Sequence, residues 1–297
     1  MVILKDFFNG IKIRGTQVKN LKVAYQGIAG AYSQQAIYGF FSQYNLKVDP
    51  VSRSSFRELF ETISNEGVLG MVPIENSTAG SVVQCYDLFL DYDLEIIAEY
   101  KLDVNHCLLC LPEASLEDLT QVMSHPQALS QCSNFLDQHK LTALSVFDTA
   151  GSAKNLVETQ DKNTGAIASM LAAKQYGLKI LKSGFQNNNN NTTKFLVVKS
   201  KNKHYEFQSQ FLNKDKCSVI FKTRDIPSAL YKCLGGFATN QVNLNKIESR
   251  PVPGSKFDYL FFIDFEGNPK DTPVKLALEE LSFFSEQVTL LGCYHKE

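Results

Sequence analysis

The sequence predicts an α/β protein of two lobes followed by a smaller α+β unit, and three observations carry that prediction. From Leu21 to about Gly184, short apolar strands alternate with amphipathic helical stretches, the pattern of helices packed on sheets. One extended run, Glu95–Leu111, outlasts an ordinary strand and is long enough to cross between two lobes. Beyond a polar, unpatterned linker at Lys199–Lys214, the elements read strand, helix, strand, strand, helix, strand, the ferredoxin-like order. The expected boundaries are 21–200 for the lobed part and 215–297 for the second unit.

Taken in order, Leu21–Tyr25 reads as a strand, and the turn Gly27–Gly30 leads to a helix over Ala31–Ser42. Lys47–Ser52 is a strand, and Ser54–Asn65 is a helix with Phe56, Leu59, Phe60 and Ile63 at helical spacing. Val68–Ile74 is a strand emptying into Glu75–Gly80, then a helix runs through Leu90. In the second lobe, helices are expected at Leu116–Gln121 and Gln127–His139, with Pro126 in the latter's first turn. Thr142–Phe147 is a strand, and Asp148 or Thr149 caps the next helix. Ala166–Ser169 and a helix at Met170–Tyr176 follow, and the strand Lys194–Val198 returns to the first lobe. The last unit has strands at Ser218–Lys222, Asn243–Ile247, Tyr259–Phe265 and Val288–Cys293, with helices at Ile226–Phe237 and Pro273–Ser285.

Composition narrows the function classes. With 30 basic and 31 acidic residues in 297, the net charge of -1 provides no global field for nucleic acid or a membrane surface. No apolar run approaches the ~18 residues that a bilayer requires. Residues 1–15 interleave charges with apolar residues and carry no small-residue cleavage site, so a signal peptide is not expected and a cytoplasmic setting is. The seven cysteines are odd in number and lie in apolar contexts, which predicts reduced thiols. His106-Cys107-Leu-Leu-Cys110 could pass for a metal motif, but strand alternation sends the two thiols to opposite faces, so buried strand cysteines are expected.

Chemistry concentrates in a few segments. The run Asn187–Asn191 stops at Thr192-Thr193-Lys194 and an apolar strand, placing a hydroxyl and an ammonium at the mouth of a sheet. Glu75-Asn76-Ser77-Thr78-Ala79-Gly80-Ser81 ends another buried-looking strand, and is denser in polar groups than a turn needs. Gly27-Ile-Ala-Gly30-Ala-Tyr32-Ser33 opens a helix whose N–H groups could meet an anion. Ser124-His125-Pro126-Gln127, with Gln131 a turn later, adds a hydroxyl and amides. Each has a bland alternative: a surface loop, a helix cap, a structural turn, a structural histidine. Together they hold no metal cluster, no Ser-His-Asp order and no cofactor fingerprint, so no cofactor is expected. Such a site suits a small polar acid whose own chemistry is nearly ready to proceed.

The chain resembles the prephenate dehydratases, and the related arogenate dehydratases, with a C-terminal ACT regulatory domain. The resemblance rests on Ala24-Tyr25-Gln26-Gly27 through Ser33, Pro73-Ile-Glu-Asn-Ser77 with Gly80-Ser81, Ser124–Gln127, Asp148-Thr-Ala-Gly151, and Asn191-Thr-Thr-Lys-Phe195. In the last part, Glu248-Ser249-Arg250-Pro251 is similar to the family's effector motif, and Ser228-Ala229-Leu230 with Leu234 to its Gly-Ala-Leu motif.

The resemblance implies a two-lobed catalytic domain like a periplasmic binding protein, with the site in the cleft. It implies conversion of prephenate to phenylpyruvate, or of arogenate to phenylalanine, with loss of carbon dioxide and water. Thr193 would assist the departing hydroxyl, and Glu75 and Asn76 would polarise and orient. Ser124 and Gln131 match further polar catalytic positions. Substrate would also meet Gly30, Tyr32, Ser77, Gly80, Ser81, Gln127, Thr149, Ala150, Gly151, Lys194 and Phe195. Phenylalanine would bind as effector near Ser228, Ala229, Leu230, Leu234 and Glu248–Pro251, between subunits of a homodimer or homotetramer. With so short a stretch before Leu21, a fused chorismate mutase is not expected. Two departures stand out: Lys194 replaces an arginine, losing its two-pronged grip, and Ser228 replaces a glycine. An inactive amino-acid sensor on the same fold is the alternative from another class.

Overall fold

Three sheets organise the chain in the computed structural model, which describes residues 20–188, 190–205, 214–252 and 258–296. The N-terminal segment 1–15 and half of the polar linker lie outside the described residues. The first lobe runs β1 (Leu21–Gln26), α1 (Tyr32–Ser42), β2 (Val48–Arg53), α2 (Phe56–Glu66), β3 (Leu69–Asn76), the short β4 (Gly80–Ser81), α3 (Val83–Asp91) and β5 (Leu94–Asp103). The second runs β6 (Cys107–Cys110), β7 (Gln121–Ser124), α4 (Pro126–Gln131), α5 (Ser133–Gln138), β8 (Thr142–Ser145), α6 (Thr149–Thr159), β9 (Thr164–Ala168), α7 (Met170–Tyr176) and β10 (Lys179–Ser183). Then β11 (Thr192–Ser200) returns to the first sheet, in the order β2-β1-β3-β11-β5 with β4 paired to β3. The second sheet has the order β10-β6-β9-β7-β8.

The long extended run thus serves both lobes: residues 94–103 belong to one sheet, 107–110 to the other, and 104–106 cross between them. The return crossing is 184–191. The two crossings bond to each other, Val104 N–H to Asn191 O at 2.7 Å and Gly184 N–H to His106 O at 2.9 Å. One face of the first sheet packs Phe195, Tyr25 and Met71 against α1. The other packs Ile74, Leu196 and Val198 against α2, α3 and the C-terminal unit.

That unit comprises β12 (Lys216–Thr223), α8 (Ala229–Thr239), β13 (Leu244–Pro251), β14 (Tyr259–Glu266), α9 (Thr272–Phe284) and β15 (Ser285–Tyr294). Its antiparallel sheet, β13-β14-β12-β15, is ferredoxin-like. Alternation divides it: Val219, Phe221 and Phe265 face α8 and α9, while Ile220, Phe262, Leu291 and Tyr294 face the first lobe. Gly292 lies so close to Ile96 that an added Cβ would fall 2.1 Å from its carbonyl oxygen.

Several expectations change. Leu116–Gln121 is a single 3-10 turn at Leu116–Asp118, and Gln121–Ser124 is the interior strand β7, because parallel partners on both sides claim its backbone groups. The helix expected at Gln127–His139 breaks at Cys132 into α4 and α5. The mostly exposed β10 carries too little alternation to be read as a strand. Lys199 and Ser200, assigned to the linker, end β11; Lys199 is buried and paired with Glu95 at 2.6 Å. Cys217 and Cys293, opposite each other on β12 and β15 with Cα atoms 4.2 Å apart, form a disulfide instead of reduced thiols. Cys107 and Cys110 are free and buried, as alternation predicts.

Candidate active site between the lobes

A β-bulge decides which side chains share the cleft. Along β11 and β3, Thr193 pairs with Asn76 and Lys194 with Glu75, but Phe195 pairs with Pro73, so Ile74 is the extra residue. The bulge sends Ile74 and Glu75 to the same face, toward the C-terminal sheet. It leaves Asn76 and Thr193 together on the other, and Asn76 Nδ2 donates to Thr193 Oγ1 at 2.9 Å. With one lone pair occupied, the threonine's own proton points elsewhere.

From this pair a chain of hydrogen bonds spans both lobes. Asn76 Nδ2 also donates to Asn191 Oδ1 at 2.8 Å, and Asn191 Nδ2 donates to Gln131 Oε1 at 2.9 Å. Gln131 Nε2 reaches Thr78 Oγ1 at 2.7 Å. His106 Nε2 lies 2.8 Å from Gln131 Oε1, and its Nδ1 lies 2.8 Å from Tyr32 O–H. That placement assigns the proton to Nε2 and makes Nδ1 the acceptor from Tyr32. Burial depresses the His106 pKa, partly offset by the Gln131 bond, so the imidazole is neutral at pH 7. Burial also lifts Tyr32 well above its ordinary value. A recess of about 330 Å³ adjoins the network, lined by Thr78, Gln127, Gln131, Asn187, Asn188 and Asn191.

Other expected residues lie elsewhere or are committed. Glu75 and Lys194 pair at 3.2 Å on the far face, and Glu75 also binds Lys246 of β13 at 2.9 Å. Burial would raise the Glu75 carboxyl, but Lys246 and Lys194 outweigh it and hold it below the ordinary value. Neither residue faces Thr193, because strand neighbours alternate. Ser124 is fully buried and donates to the Ile167 carbonyl at 2.7 Å, a bond within the second sheet. Phe195 is a core residue. Ser77 ties β3 to the return crossing, donating to Asn190 O and accepting from Thr192 N–H.

Several N–H groups expected to meet a carboxylate are taken within the chain. Gly30 N–H donates to Gln34 Oε1 at 2.7 Å, Gly151 N–H to the capping Asp148, and Thr78 and Ala79 N–H to Asn76 Oδ1. Gly30, at φ 91°, is instead one of the points where the lobes touch: Ser169 Oγ bonds its carbonyl at 2.6 Å, and an added Cβ would meet Ala172 Cα at 2.7 Å. Thr149 and Ala150 begin α6, with the Thr149 carbonyl accepting from Ser152. His125 caps α4 through Nδ1. Gly80 is exposed at φ 83°, and Ser81 donates to Glu248 Oε2 at 2.6 Å.

The effector segment also divides by alternation on β13. Glu248 meets Ser81, and Arg250 grips Asp87 of α3 with bonds of 2.8 and 2.9 Å, so both turn into their own chain's first lobe. Ser249 and Pro251 face outward. Leu230 and Leu234 pack on the C-terminal core behind Ala229. Ser228 takes the left-handed conformation, φ 59°, that explains a glycine there and costs a serine roughly 1–2 kcal/mol. Sequence reasoning missed His106 and Lys246: His106 had been absorbed into a cysteine motif, and Lys246 sits in an otherwise ordinary strand. Among the described residues, no cluster of three or more His, Cys, Asp or Glu could hold a metal ion.

A family model described as prephenate dehydratase matches residues 23–203. The chain belongs to the prephenate dehydratase family. It is 38% identical over 289 residues to "Arogenate dehydratase/prephenate dehydratase 1, chloroplastic" from Arabidopsis thaliana, covering 92% of this chain and 72% of the relative. The structure of prephenate dehydratase from Arthrobacter aurescens in complex with L-Phe superposes with TM-score 0.82 at 28% identity, covering 93% of this chain and 90% of that one. A structure described as "GqqA- a novel type of quorum quenching acylases" superposes with TM-score 0.84 at 34% identity, covering 93% and 98%. The fold is therefore the two-lobed, periplasmic-binding-protein-like one, and the chain is a dehydratase of the hydro-lyase class. No helix among the described residues is long and apolar enough to cross a membrane.

Proposed function

We propose that this protein converts prephenate to phenylpyruvate in the recess between the lobes, under regulation by phenylalanine. The observation that carries the reading is the Thr193 hydroxyl, fixed as an acceptor by Asn76 in a network joining both lobes. In the reaction the ring's carboxylate C–C bond breaks, its electrons enter the ring, and the C–OH bond opposite breaks. The leaving hydroxide takes one proton, ultimately from solvent, and departs as water. Aromatisation drives this, so placement and one hydrogen-bond donor suffice. Thr193 supplies that bond, and the amides of Gln127, Gln131 and Asn188 would receive the substrate's carboxylates. Lys194 anchors Glu75 in this reading, which is why lysine can stand where relatives use arginine.

Residues 21–200 form the catalytic domain and 215–297 an ACT domain. Phenylalanine would bind between two copies in a homodimer or homotetramer, near Ser228 and the outward Ser249 and Pro251. The setting is taken to be cytoplasmic, although the Arabidopsis relative is described as chloroplastic. Arogenate is the second reading, because that relative's name carries both activities. Supplying prephenate, arogenate and an N-acyl amide separately tests all this. Phenylpyruvate from prephenate is expected, phenylalanine from arogenate would shift the assignment, and amide cleavage alone would overturn it. Added phenylalanine should lower the rate; a flat response removes the regulatory part.

A further inference from the structure

We infer that Lys246, assisted by Glu248, is a positioning residue for the reaction, clamping the β3–β4 hairpin from the C-terminal sheet so that Asn76 stays against Thr193. The hairpin carries Asn76 and Thr78 at its tip, both in the interlobe network. At its base, Glu75 and Ser81 face each other in register. Both base side chains are held by β13. Lys246 Nζ lies 2.9 Å from Glu75 Oε1 and 3.1 Å from Ser81 Oγ, and Ser81 Oγ donates to Glu248 Oε2 at 2.6 Å. The lysine is mostly covered, with its ammonium 5.5 Å from the Tyr86 ring centre. Glu75 gives its other oxygen to Lys194, so one carboxylate ties β3, β11 and β13 together.

Ser77 and the Asn76 side chain tie the hairpin's tip to the return crossing and to itself, but at its base β13 supplies the side-chain partners. Strand β4 is two residues long, and Ser77 to Gly80 are exposed. Two lysines and two carboxylates, Lys194, Lys246, Glu75 and Glu248, balance in charge. Removing Lys246 leaves Glu75 with Lys194 alone and Glu248 with only the field of Arg250, so the charge tie between the hairpin and β13 is lost and the hairpin loosens. Since Asn76 adjoins Glu75, the shift reaches Thr193, where an error of about 1 Å can cost roughly a hundredfold in rate.

The catalytic half of this inference rests on the dehydratase reading, so the test pairs turnover with a readout that needs no substrate. Purified full-length wild type, Lys246→Met, Lys246→Arg, Glu75→Gln and the Glu75→Gln/Lys246→Met double variant are compared on whichever acid the wild type consumes. Hydrogen–deuterium exchange over residues 74–82 is followed on the same samples. Lys246→Met should lower kcat by about fivefold or more with KM within about twofold, and Lys246→Arg should keep at least about half of wild-type turnover. The double variant should lose no more than the worse single, and exchange in the hairpin should quicken. Unchanged exchange, kcat within about twofold of wild type, or losses that multiply in the double variant each overturn the clamp. If the wild type consumes neither acid, the functional reading fails while exchange still decides whether Lys246 orders the hairpin.

Discussion

A threonine hydroxyl is a weak acid, so its surroundings decide whether its proton can be used. Asn76 occupies a lone pair of Thr193 and leaves its O–H free to donate to another acceptor. Thr193→Ala should therefore lower kcat roughly tenfold or more with an unchanged circular dichroism spectrum; wild-type turnover would exclude Thr193 from the mechanism. His106 has a similar dependence on its neighbours. Held below its ordinary pKa of 6.5, it stays neutral in the folded chain while the unfolded chain takes up a proton. Its contribution to stability is complete above about pH 6.5 and is lost as pH falls through the folded value. Between about pH 7.5 and 5.5 the urea midpoint should fall further in the wild type than in His106→Gln. Equal falls would remove the buried imidazole as the cause. Thr193, Asn76 and Gln131 were legible because hydroxyls and amides clustered at strand and helix ends. His106 was not, because its partners lie 74 and 25 residues away.

Strands and turns settle which of those residues meet. One extra residue in β3, Ile74, puts Glu75 behind the sheet, where alternation along β11 already puts Lys194, although both are adjacent in sequence to the cleft pair. Alternation alone predicts faces correctly until a bulge intervenes, and a bulge needs its partner strand to be seen. The Gly30 turn makes the same point: glycine at φ 91° was legible as a turn, but its contact with Ala172 was not. Gly30→Ala adds a methyl where backbone stands 2.7 Å away, in a conformation that disfavours it. A loss of about 1–3 kcal/mol is expected in urea unfolding, with reduced turnover because the lobes are wedged apart. Full stability and turnover would show that the interlobe contact is soft. Strand β7 was missed, with only Gln121 read as helix, because four residues with two apolar positions fit either period; two parallel partners decided it.

The three sheets are joined by charge as well as by apolar packing. Lys216 of β12, almost wholly buried, lies 2.5 Å from Glu99 of β5 and 3.2 Å from Asp264 of β14. Burial alone would depress the lysine's pKa, but those two carboxylates outweigh it and keep the ammonium charged. Lys216→Met leaves a buried carboxylate without this partner and should cost about 3–5 kcal/mol, read as a lower urea midpoint. A loss under about 1 kcal/mol would mean that water reaches Glu99. This contact and the Lys246 clamp fasten the C-terminal sheet to the lobe that carries Asn76 and Thr193, so a ligand on that sheet has a short physical route to the site.

The residues alone determined most of the element order outside the second sheet, the two crossings, the ferredoxin-like unit and the polar segments from which the site is made. These follow from local chemistry: periodicity, turn residues and the ends of apolar runs. Tertiary structure decided which of those polar groups share a face, which N–H groups are already bonded, and that Glu248 and Arg250 reach their own first lobe. Those outcomes depend on strand register and on pairings across more than a hundred residues, and no local pattern encodes either.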